Sequence, residues 1–283
     1  MAKTCKASTI KTYISGIRNE HLVRGMQFKA TRERFPLQQV LKGIKRTNGD
    51  TAKPKLPITK EVLADIWSWK QANPPVREDD KRKAVCIWAA MLTGVFGMLR
   101  KDNLTVGKQE AYNAAHHIRR KDVAFLPATD KTVGVMWLRL CYSKTNQDQS
   151  RIHWIPLVET RGALCPVTAV KALLHISNTS AEDPLFIAKN SSSQTNRIAT
   201  PLSHGMLVKE IKALVKATGR DPSKFAGHSL RRGGATMAYR AHISEHLIKV
   251  HGDWRSDAVR RYHQWSPRDR LQLPLLMAKL SRL

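Results

Sequence analysis

Acidic residues are scarce in this chain: 22 Asp and Glu stand against 49 Lys and Arg in 283 residues, giving a formal net charge of +27 and a pI near 10.4. So large an excess of one sign makes a polyanion the expected partner, with nucleic acid ahead of an anionic membrane surface. Long apolar runs are absent too. The longest, at positions 84–99, falls short of the roughly 20 residues a membrane helix needs and reads as a buried helix. The N-terminal stretch MAKTCKASTIK has no apolar core of a signal peptide, so a soluble, intracellular protein is expected. The four cysteines, at 5, 86, 141 and 165, show no metal-like pairing; Cys86 and Cys141 lie inside apolar runs and read as small core residues in a reducing compartment. There is no internal repeat and no Gly-rich phosphate loop, which removes the nucleotide-hydrolysing classes that depend on one.

Tyrosine is the scarcest residue type that the chemistry below uses, with five in the chain. One of them, Tyr262, closes the stretch KFAGHSLRRGGATMAYRAHISEHLIKVHGDWRSDAVRRYHQW, residues 224–265. This stretch also holds His228, Arg231 three positions on, a second arginine at 232, and Trp254 after a Gly-Asp pair. These residue types point at phosphate. A guanidinium is a permanent cation whose planar fork matches two phosphate oxygens. Histidine exchanges a proton near neutral pH, and a tyrosine hydroxyl becomes a nucleophile when a neighbour removes its proton. Ser229 is placed to cap a helix beginning SLRRGGATMAYRA, with Arg231 in its first turn and His228 just ahead, so that both face one anion at a positive helix end.

The constellation resembles the tyrosine recombinase, or phage integrase, family, whose pattern is a His-x-x-Arg box, then His or Trp, then the nucleophilic Tyr. His228, Arg231, Trp254 and Tyr262 match it in order. The family also has an upstream arginine after an apolar helix and a lysine in a strand-turn-strand. FGMLRKDNL supplies Arg100 and WLRLCYSKTNQDQSRIHWIPL supplies Lys144. Two departures stand out: Trp254 lies eight residues before Tyr262 where many bacterial members show nine, and Asn103 occupies the position three after Arg100 where the family usually has an acid. The forms FGMLR and GDWRSDAVRRY look closest to recombinases of eukaryotic mobile elements.

The resemblance implies a mainly α fold with a small antiparallel β-sheet, the catalytic-domain fold of the family, preceded by a partial helical core-binding domain. It implies double-stranded DNA as partner, self-association into a dimer or tetramer on DNA, and a nuclear site of action if the source is eukaryotic. Tyr262 would attack a DNA phosphate, Arg100 and Arg231 would hold its non-bridging oxygens, and His228 would help remove the tyrosine proton. Lys144 would protonate the leaving 5′ oxygen, and Trp254 would pack beneath the site and hydrogen-bond through its indole N–H. Neither cofactor nor metal is called for, because permanent cations take the place of a divalent ion and the phosphotyrosine conserves the bond energy. An inactive DNA-binding relic and a strand-relaxing enzyme of the type IB topoisomerase kind remain open beside the recombinase.

Taken in order, residues 1–46 form short basic amphipathic helices, over 9–23 and 35–44, that suit a DNA clamp or an ordinary small bundle. Residues 47–57, rich in Gly, Pro and Lys, read as an exposed linker, and 58–283 as the catalytic domain. Within it Thr59 caps a helix, 73–82 forms a break, and the 84–99 helix delivers Arg100 at its end. Strands fall at 122–126, 133–142 and 151–158, the last alternating Ile152, Trp154 and Pro156 with polar residues. A helix follows over 165–176, then a polar surface loop over 181–199 around a short PLFIA strand, and a helix over 204–218. The tail carries an apolar stripe from Leu271 to Leu280 that would cover its own core or dock on a neighbouring protomer. His242-Ile-Ser-Glu-His246 matches an inverted zinc-hydrolase motif, with His251 as a third ligand. A turn at 242–244 and a helix capped by Ser244 is the stronger reading, and it separates the two rings.

Overall fold

The computed structural model describes residues 5–29, 33–49, 54–107, 110–130, 132–143, 146–160, 162–177, 179–193, 196–254, 256 and 259, without the side chains of 189–198. The chain divides into two compact units, residues 1–54 and 55–283. In the first, α1 (Ala7–Val23) and α2 (Phe35–Asn48) pack through Ala7, Leu41 and Ile44, with Ile10 and Leu37 at the margin. Pro36 opens α2 where its missing N–H costs nothing.

The second unit is built around α4 (Glu78–Phe96), in which every side chain from Cys86 to Val95 is buried. Residues 78–82 belong to this helix and not to a break, because Glu78, Asp79 and Asp80 place negative charge on its first turn, where the exposed N–H groups favour it. Around α4 lie α3 (Lys60–Ala72), α6 (Pro166–Ile176), α7 (His204–Ala217) and α8 (His228–Arg240), sharing one core with the sheet. Burial pushes the Cys86 thiol up to about 12, so it behaves as a small apolar core residue, while Cys141 is only partly buried. Thr59 stands at the N-cap of α3, though its hydroxyl donates to Glu61 and makes no backbone cap bond.

Two antiparallel sheets accompany the helices. One has the order β1 (Val123–Leu126), β2 (Val135–Leu140), β3 (His153–Val158). In β3 the inward residues are Ile155 and Leu157; Ile152 and Trp154 are exposed. The core side of the sheet is set by Met136 and Leu138 on β2, which pair with Leu157 and Ile155, so the bulkier alternate set falls outside. Pro156 is tolerated because β3 is an edge strand. The second sheet is the hairpin of β4 (Ile187–Ser193) and β5 (Asn196–Pro201), where the sequence suggested a loop. The polar run of serines and asparagines conceals it, while Leu185, Phe186, Ile187 and Ala188 lead it into the core.

Leu56 and Pro57, unlike Lys55, are not exposed. Leu56 N–H donates to Lys224 O at 2.7 Å, Ile58 N–H to Ser229 O at 2.9 Å, and Pro57 is buried. This extended segment runs against α8 because α8 carries Gly233 and Gly234 at the contact. A Cβ on Gly233 would lie 2.0 Å from Ile58 O, and one on Gly234 would lie 2.0 Å from Val95 O. The pair therefore lets α8 approach the backbone of its neighbours on two sides, which places the His-x-x-Arg box against the end of α4. Among the described residues no helix is long and apolar enough to cross a membrane.

Candidate active site

Arg231 lies in the second half of the first turn and a half of α8 and is 2% exposed. The helix begins at His228 with Gly227 as N-cap, two residues earlier than a Ser229 cap would set it. Ser229 instead turns its hydroxyl back to accept from Ala226 N at 3.0 Å, and it is fully buried. The guanidinium of Arg231 donates to Met98 O and, at 2.6 Å, to Gly252 O, and its carbon sits 3.6 Å from the centroid of the Trp254 ring. Carbonyls and an aromatic face orient a cation without cancelling its charge; a desolvated stack of this kind is worth about 2 kcal/mol.

Arg100 reaches the same place from the other side. It does not end α4: a turn through Gly97, Met98 and Leu99 intervenes, with Met98 at φ 48°, and Arg100 stands at the N-cap of α5 (Lys101–Leu104). The favourable position of a cation at a helix C-terminus is therefore not what fixes it. Its guanidinium donates to Asp253 O at 3.0 Å and to Asp253 Oδ2 at 3.3 Å. Arg231 and Arg100 are thus clipped to the consecutive carbonyls of Gly252 and Asp253, in the turn that follows α9 (Glu245–His251) and precedes Trp254. Trp254 is 8% exposed, with its backbone N–H on Lys249 O at 2.9 Å. His251 ties the turn to α4 through a 2.9 Å bond between Nε2 and Phe96 O.

His228 is exposed at the start of α8. The burial of part of its ring, followed by the nearby Lys101, holds its pKa below the ordinary histidine value, with Arg231 and His204 acting the same way and Asp102 opposing. Lys101 and His204 thus share the neighbourhood of His228; His204 Nδ1 is buried without a hydrogen-bond partner among the described residues. Lys144 and Tyr262 lie outside the described residues, as does the apolar tail at 271–280.

Asn103 fills a backbone role at the position where an acid was expected. Its Oδ1 accepts from Arg100 N at 3.1 Å and its amide donates to Tyr142 O at 3.3 Å. The first bond suits Asn or Asp alike; the second needs an amide. The carboxylate of the site is Asp253, which the sequence reading passed over. It is 8% exposed and also accepts from Ser143 Oγ at 3.0 Å and from Arg151. The signal was available in one place: an acid next to Trp254 in a chain so short of acids.

The His242-to-His246 motif does not form a shared helix face. α9 begins at Glu245 with Ser244 accepting from Leu247 N at 3.4 Å, and His242 sits ahead of it at φ 58°. No group of three or more potential metal ligands is found among the described residues.

Known proteins resemble the chain in sequence and in fold. No protein-family model matches the chain. A curated integrase/recombinase XerD homolog of Selenomonas ruminantium is 26% identical over 248 residues, covering 84% of this chain. The XerH site-specific recombinase, solved in a post-cleavage complex with a palindromic difH substrate, has the same fold, with a TM-score of 0.56 at 14% identity over 96% of this chain and 72% of that one. The chain is thus similar in sequence to an integrase/recombinase and in fold to a site-specific recombinase. It spans 62% of the length of the XerD homolog. A pre-cleavage complex of XerH superposes with a TM-score of 0.49 at 14% identity, over 94% of this chain and 69% of that chain. The fold shared with that recombinase is, in this chain, mostly helical with small antiparallel sheets.

Proposed function

We propose that the chain is a site-specific DNA recombinase that breaks and rejoins strands through a covalent 3′-phosphotyrosine. The observation that carries this reading is the anchoring of Arg100 and Arg231 to consecutive carbonyls of one turn, a placement that suits two guanidiniums sharing one phosphate. Arg100 and Arg231 then hold the two non-bridging oxygens and stabilise the charge that builds up in the pentacoordinate transition state. Tyr262 Oη attacks phosphorus as its proton passes to His228, whose lowered pKa keeps the ring neutral and able to accept it. The bond from phosphorus to the 5′ oxygen breaks, and Lys144 gives that oxygen its proton. Trp254 supports Arg231 from beneath. Reversal with the 5′ hydroxyl of a second duplex joins the strands, and the bond energy kept in the phosphotyrosine makes ATP unnecessary.

Residues 58–283 are the catalytic domain in this reading, 1–46 part of a DNA-clamping domain, and 47–57 the connection. The partner is double-stranded DNA, engaged by dimers or tetramers of the chain, and the work is done in the nucleus if the source is eukaryotic. The net charge of +27 suits that partner. The test begins with DNA sites selected from random duplexes and then placed singly or in pairs on supercoiled plasmids. Exchange that requires paired sites supports a recombinase; relaxation of single-site and site-free plasmids alike assigns the topoisomerase-like alternative; tight binding with neither assigns the inactive relic.

A further inference from the structure

The Asp253 carboxylate joins three parts of the chain that the fold brings together from far apart in sequence. Oδ2 accepts from Arg100 at 3.3 Å and from Ser143 Oγ at 3.0 Å, and Oδ1 accepts from Arg151. Ser143 and Arg151 bracket the turn between β2 and β3, which Asn146 closes with bonds from its amide to Cys141 O at 2.8 Å and Arg151 O at 2.7 Å. Resting on the strand-transfer reading above, we propose that Asp253 is a positioning residue that holds the guanidiniums of Arg100 and Arg151 side by side, and that Arg151 is a further phosphate-binding residue of the site.

Three observations favour this over a purely structural ion pair. Among the described residues one carboxylate serves two guanidiniums, so the cluster keeps positive charge beside Arg231. Arg151 is 38% exposed at its side chain, so an anion arriving from solvent can reach it while Asp253 holds it in place. And Asp253 is held at φ 54°, a left-handed conformation that costs most side chains about 1–2 kcal/mol and that Asp and Asn tolerate best. The side chain is kept where the backbone resists it. A carboxylate between two arginines also prevents their mutual repulsion before DNA arrives, so both enter the reaction already oriented.

The charge and the geometry separate cleanly, because Asp253→Asn keeps the shape and the tolerance of a positive φ while removing the charge. Nicked suicide duplexes in EDTA give the rate of covalent adduct formation at saturating protein, and titrations over a salt series give affinity and its salt dependence. Asp253→Asn is expected to form adduct about 10- to 100-fold more slowly while binding DNA as tightly as wild type or tighter, since a negative charge beside the phosphate has gone. Arg151→Ala is expected to slow adduct formation and to lower the slope of log affinity against log salt by about 1. Lost binding in proportion to lost rate in Asp253→Asn would show a merely structural role, and an unchanged rate would show no role; either overturns the proposal, as does an unchanged salt slope in Arg151→Ala. If wild type forms no adduct on DNA that it binds, the strand-transfer reading fails on its own account. The Arg151→Ala slope then still decides whether Arg151 touches phosphate.

Discussion

The guanidinium carbon of Arg231 lies 3.6 Å from the centroid of the Trp254 ring, so the buried arginine of the His-x-x-Arg box rests on the aromatic residue that follows it by 23 positions. The contact explains why a tryptophan serves there. An aromatic face accepts a desolvated cation, fills the volume beneath it, and leaves the rim of the guanidinium to the carbonyls of Met98 and Gly252.

Trp254→Ala is expected to destabilise the protein by about 3–5 kcal/mol, the cost of a large buried aromatic, and to remove adduct formation with it. Trp254→Phe keeps a face for Arg231 and is expected to lose less than half as much. Urea midpoints of the two variants, compared with wild type, check the order.

Asn103→Ala removes the acceptor of Arg100 N and the donor to Tyr142 O in a buried setting. The expected loss is about 1–2 kcal/mol, with a fall in adduct rate larger than stability alone accounts for, because Arg100 loses the bond that fixes its backbone. Equilibrium unfolding and single-turnover cleavage on the same preparation separate the two effects.

Two glycine-to-alanine changes are expected to act in opposite directions. Gly234→Ala drives a methyl to 2.0 Å from Val95 O, a backbone atom that cannot step aside, and is expected to cost more than about 3 kcal/mol. Gly16, in α1, meets nothing within 4 Å, so Gly16→Ala is expected to stabilise its helix by up to about 1 kcal/mol. Thermal unfolding followed by circular dichroism reads both.

The pH dependence follows from His153, His204 and His228, each held below the ordinary histidine value near 6.5, chiefly by burial. Their folded values lie below their unfolded ones, so the unfolded chain binds more protons as the medium turns acid. The stability tied to their neutral forms is full above about pH 6.5 and is lost as pH falls through the lower folded values. Urea midpoints are expected to drop between pH 7.5 and 5.5, a window above the ordinary carboxylate range. His153→Gln is expected to flatten that drop. A midpoint that rises toward pH 5.5 would contradict this assignment.

Much of the fold was legible because periodicity and caps speak locally. Phe35–Asn48, Pro166–Ile176 and His204–Ala217 follow from apolar spacing, and Ser244 announces α9. The β4–β5 hairpin was hidden by its serines and asparagines, whose composition is that of a loop while the ladder of backbone bonds is not written in side chains. The buried face of β3 is not readable locally because both alternate sets contain large apolar residues, and only the pairing of Ile155 with Leu138 and Leu157 with Met136 decides between them. At the site, Arg100, His228, Arg231 and Trp254 were recognisable by type and order. The link from Asp253 to Arg100, Ser143 and Arg151 spans 153, 110 and 102 positions, and no local pattern carries it.

The central claim is that strands are cut by Tyr262 at a phosphate held by Arg100 and Arg231. The most direct measurement incubates the full chain with a nicked suicide duplex carrying its selected site, in EDTA, and resolves the products on a denaturing gel. The account predicts a covalent protein–DNA band in wild type that is absent in Tyr262→Phe and in Arg231→Ala, although both variants still bind the duplex. A band that persists in Tyr262→Phe, or no band from wild type on DNA that it demonstrably binds, would contradict it.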